Sequence, residues 1–141
     1  MDTFFLNELK SCCVDINGDR ENAGGISGVM DAYRRIMDFS ELARQEGLLA
    51  LCDACDKLDK SDRTQGFLFR LMMQVVDGYE PAVVSEMGLN MLAADDYHSY
   101  EGLTVLMYYK GACLIQTGVS IDRLGAHIYN VIGGKHHVFI M

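Results

Sequence analysis

Residues Phe39 to Cys55 read FSELARQEGLLALCDAC, and the fold is decided there. The first half has the look of a charged amphipathic helix, with Glu41, Arg44, Gln45 and Glu46 interleaved among apolar residues. From Leu48 to Leu51 the chain turns apolar on nearly every side. A helix that changes character in this way is polar where it meets solvent and apolar where it enters a core, so the stretch predicts a helical domain with a deeply enclosed centre. Gly47 stands at the junction. A glycine costs up to about 1 kcal/mol inside a helix, so it predicts a bend or a close approach to a neighbour, with the apolar half after it the more deeply buried.

Working outward, helical periodicity continues in both directions. Upstream, Ile26, Val29, Met30, Tyr33, Ile36 and Met37 form one stripe of a long helix that starts near Ser27, with Asp31 four residues before Arg35 for a modest ion pair. Before it, DINGDRENAGG breaks a first helix expected from about Thr3 to Val14, on which Phe5, Leu9 and Cys12 recur at helical spacing. Downstream, LDKSDRTQG offers Ser61 or Asp62 as an N-cap, the latter with Gln65 at the reciprocal capping position. The helix that follows is apolar from Phe67 to Val76 except for one narrow stripe of Arg63, Arg70, Gln74 and Asp77, and it is the expected central helix. Gly78 suits a C-cap, and Pro81 suits the first turn of a fourth helix running to about Ala94. A fifth is expected over about Tyr100 to Gln116, and Ser120 caps a short sixth carrying Ile121, Leu124, Ile128 and Val131. The expectation is an all-α domain: about six helices in a compact helical bundle or a stack of helical hairpins, the whole of 1–141 being one unit.

Bulk properties narrow the function classes. The chain has 141 residues, half of them apolar, which suffices for one real core. Twenty acids against twelve bases give a net charge of −8, so a phosphate backbone is repelled and nucleic acid is not an expected partner. The start, MDTFFLNELK, has an acid at position 2 and no basic segment, which argues against a signal or transit peptide and for a cytoplasmic location. No window reaches the roughly 18 consecutive apolar residues of a spanning helix, the best, GLTVLMYYKGACLIQTGV, being interrupted by Lys110 and Gln116, so membrane insertion is not expected. Five cysteines in such a chain read as buried thiols and not as a disulfide framework.

The stretch Ala43 to Leu51, ARQEGLLAL, followed after a gap by LFRLMMQVVDGYEP, resembles the cytoplasmic part of MotA, the stator protein of the flagellar motor. The resemblance covers about Ile36 to Met91. It implies a helical region whose charged residues meet the rotor's switch protein, with Arg44 matching the rotor-facing arginine. Cys52 stands where the family has an acid, so half of the charged pair is missing. The membrane helices of the family have no counterpart in YEGLTVLMYYKGACLIQTGVSIDRLGAH. What the resemblance implies here is a soluble, non-catalytic interaction module that binds a protein partner or itself, with a contact surface at Arg44, Glu41 and Gln45. The competing reading makes Arg44 one more solvated charge on an amphipathic helix.

Other candidate chemistry is thinner. Cys52 and Cys55 place two sulfurs on one helix face, and with His136 and His137 they define an alternative, a small-ligand or metal-binding regulator. A structural zinc site needs four ligands, and no second pair at ligand spacing follows, so no metal or cofactor is expected. Asp15, Asn17 and Asp19 stand at the first three positions of a calcium loop, but Arg20 replaces its glycine and Ile26 its bidentate acid, which leaves a polar turn. No serine or cysteine sits in a local nucleophile signature, His127 reads as a boundary histidine, and an enzyme is not expected. Methionines such as Met72, Met73, Met87, Met91 and Met107 fall at core spacing on helices, although they also suit an adaptable groove.

Overall fold

The computed structural model describes residues 23–120 together with Asp122, Arg123 and Ala126. Among the described residues the regular structure is entirely helical: α1 (Ala23–Glu46), a 3-10 turn (Leu48–Ala50), α2 (Leu51–Asp56), α3 (Arg63–Val76), α4 (Pro81–Ala94) and α5 (Ser99–Gln116). The helix expected over 3–14, the polar turn at 15–20 and His127, His136 and His137 lie outside the described residues. The sixth helix is described only at Asp122, Arg123 and Ala126, where the Ser120 hydroxyl accepts the Arg123 amide at 3.4 Å, the expected cap.

The ends of the helices follow local chemistry. Asp62 caps α3, its carboxylate accepting the backbone amides of Thr64 at 2.8 Å and Gln65 at 3.2 Å. The reciprocal half of the capping box is redirected, because Gln65 Oε1 accepts the amide of Asp59 at 2.9 Å instead of that of Asp62. At the other end Gly78 takes φ 86°, and the amides of Gly78 and Tyr79 close back onto Val75 and Gln74 at 3.2 Å each, the pairing of a Schellman motif. Gly118, with φ 75°, ends α5 in the same way through Ile115 and Leu114.

The centre is α5, not α3. Twelve of its eighteen residues are buried, including every residue from Gly102 to Tyr109, and it packs against α1, α3 and α4. The physical reason is visible in GLTVLMYY: this helix has no polar stripe wide enough to leave in water, whereas α3 keeps Arg63, Arg70 and Asp77 exposed on one side. Helix α3 still contributes Phe67, Leu68, Leu71, Met72 and Val75 to the same core.

Two glycines let neighbours approach α5 and its surroundings closely. A Cβ on Gly88 of α4 would stand 2.6 Å from the Tyr109 ring and 3.3 Å from Leu71, and one on Gly111 of α5 would collide with Ile36 of α1. Helix α1 buries Val29, Ala32, Ile36 and Phe39, while Met30, Tyr33 and Met37 of the expected stripe lie on its half-buried flank. The expected pairing of Asp31 with Arg35 is replaced. Asp31 pairs with Arg34 at 3.2 Å, and Arg35 instead reaches across to donate to the Tyr108 hydroxyl at 2.8 Å. A fully buried phenol needs a partner, and a surface pair contributes little.

Candidate functional site

The opening stretch is not one bent helix. Gly47 adopts φ 90°, a conformation L side chains resist, and no atom lies within 4 Å of its missing Cβ, so it is there for the turn and not for close packing. Its amide closes α1 onto Ala43 O at 2.8 Å, and the chain then makes a 3-10 turn before α2. The expectation that the apolar half after Gly47 is the more deeply buried holds at Leu51 but is corrected over the turn, where none of Leu48, Leu49 and Ala50 is buried. Leu51 and Cys55 are buried, but Leu49 is 76 % exposed, the most exposed large apolar side chain of the described residues. A 3-10 turn of only three residues cannot turn Leu48, Leu49 and Leu51 inward at once, and Leu49 is the one left outside.

Arg44, Glu41 and Gln45 lie immediately before this turn, all exposed. Glu41 accepts Gln45 Nε2 at 2.7 Å, a contact one helical turn apart that holds both on the same side. Arg44 has no hydrogen bond or ion pair among the described residues. It borders a cleft of about 290 Å³ formed with Gly47 and Leu48 on one wall and Ile115, Thr117 and Gly118 at the end of α5 on the other. Glu41, Arg44 and Gln45 thus share the exposed end of α1, and Leu49, expected in the core, is exposed on the turn that follows.

A second cleft, of about 300 Å³, is polar and lies where α1, the cap of α3 and the start of α5 meet. Arg35, Asp62, Thr104 and Tyr108 line it. Burial pushes the Tyr108 phenol above its ordinary pKa, and the Arg35 guanidinium opposes that shift. Burial raises the Asp62 carboxyl too, but hydrogen bonds from Thr64 and Gln65 win, and it is held below the usual carboxylate range. These interactions satisfy one another and bind the elements together. The long-range reach of Arg35 carried no sequence signal, because nothing in a helical pattern marks which tyrosine 73 positions away will need a donor.

Cys52, Cys55 and Cys113 are unbridged. The Cys55 thiol is buried and its pKa is pushed up to about 11, first by burial and then by Cys52 and Asp56. Among the described residues no group of three His, Cys, Asp or Glu side chains comes together as a metal site would need. Met72 and Met107 are fully buried core residues, with Met73 and Met91 packed against that core. Among the described residues no helix is long and apolar enough to cross a membrane.

Comparison with known proteins returns no matching family model, no matching curated protein and no matching solved structure.

Proposed function

We propose that the protein is a non-catalytic helical interaction module, a compact cytoplasmic bundle that resembles the cytoplasmic region of the flagellar stator protein MotA. It serves either the motility machinery or, as a reused relative, another protein complex. Its contact surface is the corner formed by Arg44, Glu41 and Gln45 with Leu49.

The observation that carries this reading is Leu49. An aliphatic side chain 76 % exposed, presented on a turn five residues after an arginine with no partner of its own among the described residues, offers an apolar anchor and a forked donor for a carboxylate. Interfaces are commonly built from such a pair, an apolar centre bordered by a directional charge. Among the described residues no third ligand joins Cys52 and Cys55, which favours this reading over the alternative of a metal-binding regulator.

The test is a pull-down from the native cytosol with wild type, Arg44→Ala and Leu49→Ser side by side over a range of salt. Both variants should retain fewer partners while their unfolding midpoints stay within experimental error of wild type. Leu49→Ser should weaken retention at every salt concentration, and Arg44→Ala chiefly at low salt, where a charged contact acts on the association rate. Equal retention by all three proteins at all salt concentrations would exclude this corner as the contact surface.

A further inference from the structure

Cys52 and Cys55 stand three residues apart on α2, in the run Cys-Asp-Ala-Cys. Their surroundings differ. Cys55 is fully buried, on the face that also puts Leu51 and Leu58 into the core, while Cys52 is only half-buried and open to solvent on one side. Side chains on a helix lean toward its N-terminus, which brings Cys55 back toward the turn that carries Cys52. The two thiols are close enough to act on one another, Cys52 being the next cause after burial of the raised Cys55 pKa. An accessible sulfur beside a buried one is the arrangement that thiol oxidation uses: the first meets the oxidant, and the second is sheltered from it and resolves the product.

Helical geometry nearly allows a bridge. Residues three apart have Cα atoms about 5 Å from one another, inside the range a disulfide spans. Their Cβ atoms are about 5 to 6 Å apart, whereas a disulfide holds them at about 3.5 to 4.5 Å, so closure requires a movement of about 1 to 2 Å. Cys55 and Leu58 are held in the core, and the segment just before α2 is a 3-10 turn with no buried residue, so the side that gives is Cys52 together with that turn. Leu51 is buried as well and resists the movement. The bond is therefore strained, and a strained disulfide is readily reduced again.

We propose that Cys52 and Cys55 are a peroxide-responsive thiol pair, closing to a disulfide within α2 that shifts the turn carrying Leu49. The pair stands without any assignment of function, and only the consequence for partner binding rests on the reading of the chain as an interaction module. The Cys52 thiolate attacks hydrogen peroxide, the O–O bond breaks, and Cys52 becomes a sulfenic acid as hydroxide leaves. The Cys55 sulfur then attacks that of Cys52. The S–S bond forms as the S–OH bond breaks, and the departing hydroxide takes the Cys55 proton to become water. The two sulfurs together give up two electrons, which reduce the peroxide. Because the second step is intramolecular, proximity offsets the small ionised fraction of Cys55.

The test uses the full chain, because trypsin releases Gln45–Lys57 as a peptide that holds both cysteines and no others. After a brief treatment with peroxide this peptide should be lighter by two hydrogens, and iodoacetamide labelling of Cys52 should fall at least about tenfold, both restored by dithiothreitol. In Cys55→Ala the same treatment should leave Cys52 as a sulfenic acid that dimedone captures, and in Cys52→Ser the peptide should stay unoxidised. By hydrogen exchange, the amides of 48–52 in the oxidised wild type should exchange at least about threefold faster, with those of α4 unchanged.

The thiol pair is overturned if Cys52 of the wild type resists peroxide, accumulates as sulfenic or sulfinic acid, or bridges instead to Cys12, Cys13, Cys113 or a second chain. A bridge that forms while exchange over 48–52 stays the same overturns the movement of the turn. A protein that bridges and moves the turn, yet retains the same partners as strongly as the reduced form, counts against the Leu49 corner as contact surface and leaves the thiol pair standing.

Discussion

Two glycine-to-alanine substitutions, both inside helices, should move stability in opposite directions. Gly28 lies in α1 with no atom within 4 Å of the position its Cβ would take. Alanine there gains helix propensity and meets no neighbour, so Gly28→Ala should stabilise by about 0.5 to 1 kcal/mol. Gly88 lies in α4 against α5 and α3. The same methyl there would stand 2.6 Å from both Cδ1 and Cε1 of Tyr109, where van der Waals contact begins near 3.5 Å, so about 1 Å of room must be found. The ring cannot simply swing away. Its hydroxyl is bonded to Ser85 Oγ at 2.9 Å and lies 3.3 Å from Ser85 O, on the same helix as the glycine, and on the far side Leu71 is fully buried at 3.3 Å from the new atom. Overpacking of this kind costs about 1 to 3 kcal/mol, and displacing the Tyr109 hydroxyl adds about 0.5 to 1.5. Against these stands the propensity gain of about 1 kcal/mol. The balance is a loss of about 0.5 to 3.5 kcal/mol for Gly88→Ala.

Urea unfolding followed by far-ultraviolet circular dichroism measures both, provided the slope with denaturant is unchanged between variants. A cycle with Tyr109→Leu identifies the cause. If the ring is what the methyl meets, the double variant should lose at least about 1 kcal/mol less than the sum of the single losses. The reasoning fails if Gly88→Ala stabilises as Gly28→Ala does, or if the two single losses simply add, since either result would mean that α4 can move away from α5 at no cost.

Two further outcomes follow from the ends and thiols of the helices. Asp62→Ala should cost about 0.5 to 2 kcal/mol at neutral pH through loss of the α3 cap. Because the folded carboxyl titrates below its unfolded value, that contribution is complete above about pH 4 and disappears as the pH falls through the folded pKa. Wild type and Asp62→Ala should therefore converge in stability on acidification, and a gap that stays constant to the lowest pH would refute the charge-assisted cap. The cysteines of α2 should differ in reactivity: with the Cys55 thiol at about 11, roughly a thousandth of it is ionised at pH 8, and it is fully buried besides. Iodoacetamide labelling mapped by mass spectrometry should modify Cys52 readily and Cys55 only under unfolding conditions. Equal labelling of the two would show that α2 opens on the timescale of the reaction.

What the sequence made legible is the set of signals that act locally. Asp62 before the α3 pattern, Pro81 at the start of α4, and the glycine at 78 act through bonds within four or five residues, and the helix boundaries they imply match the structure within a residue or two. What stayed hidden depends on who packs against whom. The narrow polar stripe of α3 suggests a central helix, yet α5, whose apolar run is interrupted by Lys110 and Gln116, takes the centre because it has no polar stripe wide enough to leave in water. The partner of Arg35 was misassigned for a related reason, since i,i+4 spacing is visible in a sequence and a buried phenol on a distant helix is not. Ser99, with φ 55° and a buried hydroxyl without a hydrogen bond, had no sequence signal. At the candidate site, Arg44, Glu41 and Gln45 were legible as a solvated face, whereas Leu49 was not. The apolar run 48–51 looked inward as a block, and only the turn that Gly47 imposes separates one leucine from the rest.

That separation also explains why the corner suits a contact surface. Helices α1, α3 and α4 all pack on α5, so most substitutions along them disturb a shared core. The 3-10 turn and α2 pack instead against the end of α1 and against α3, at the margin of that core. Leu49, Arg44, Glu41 and Gln45 project from this margin, and none contributes to the buried cluster. Substitutions at such positions usually move stability by less than about 0.5 kcal/mol. The residues best placed to specify a partner are therefore also the ones whose identity the fold does not constrain. Exchange of Leu49 for a polar residue should leave the fold intact while removing the apolar centre of the proposed contact. This independence from the core makes Arg44→Ala and Leu49→Ser informative: a change in partner retention cannot be blamed on a damaged fold if the unfolding midpoint has not moved.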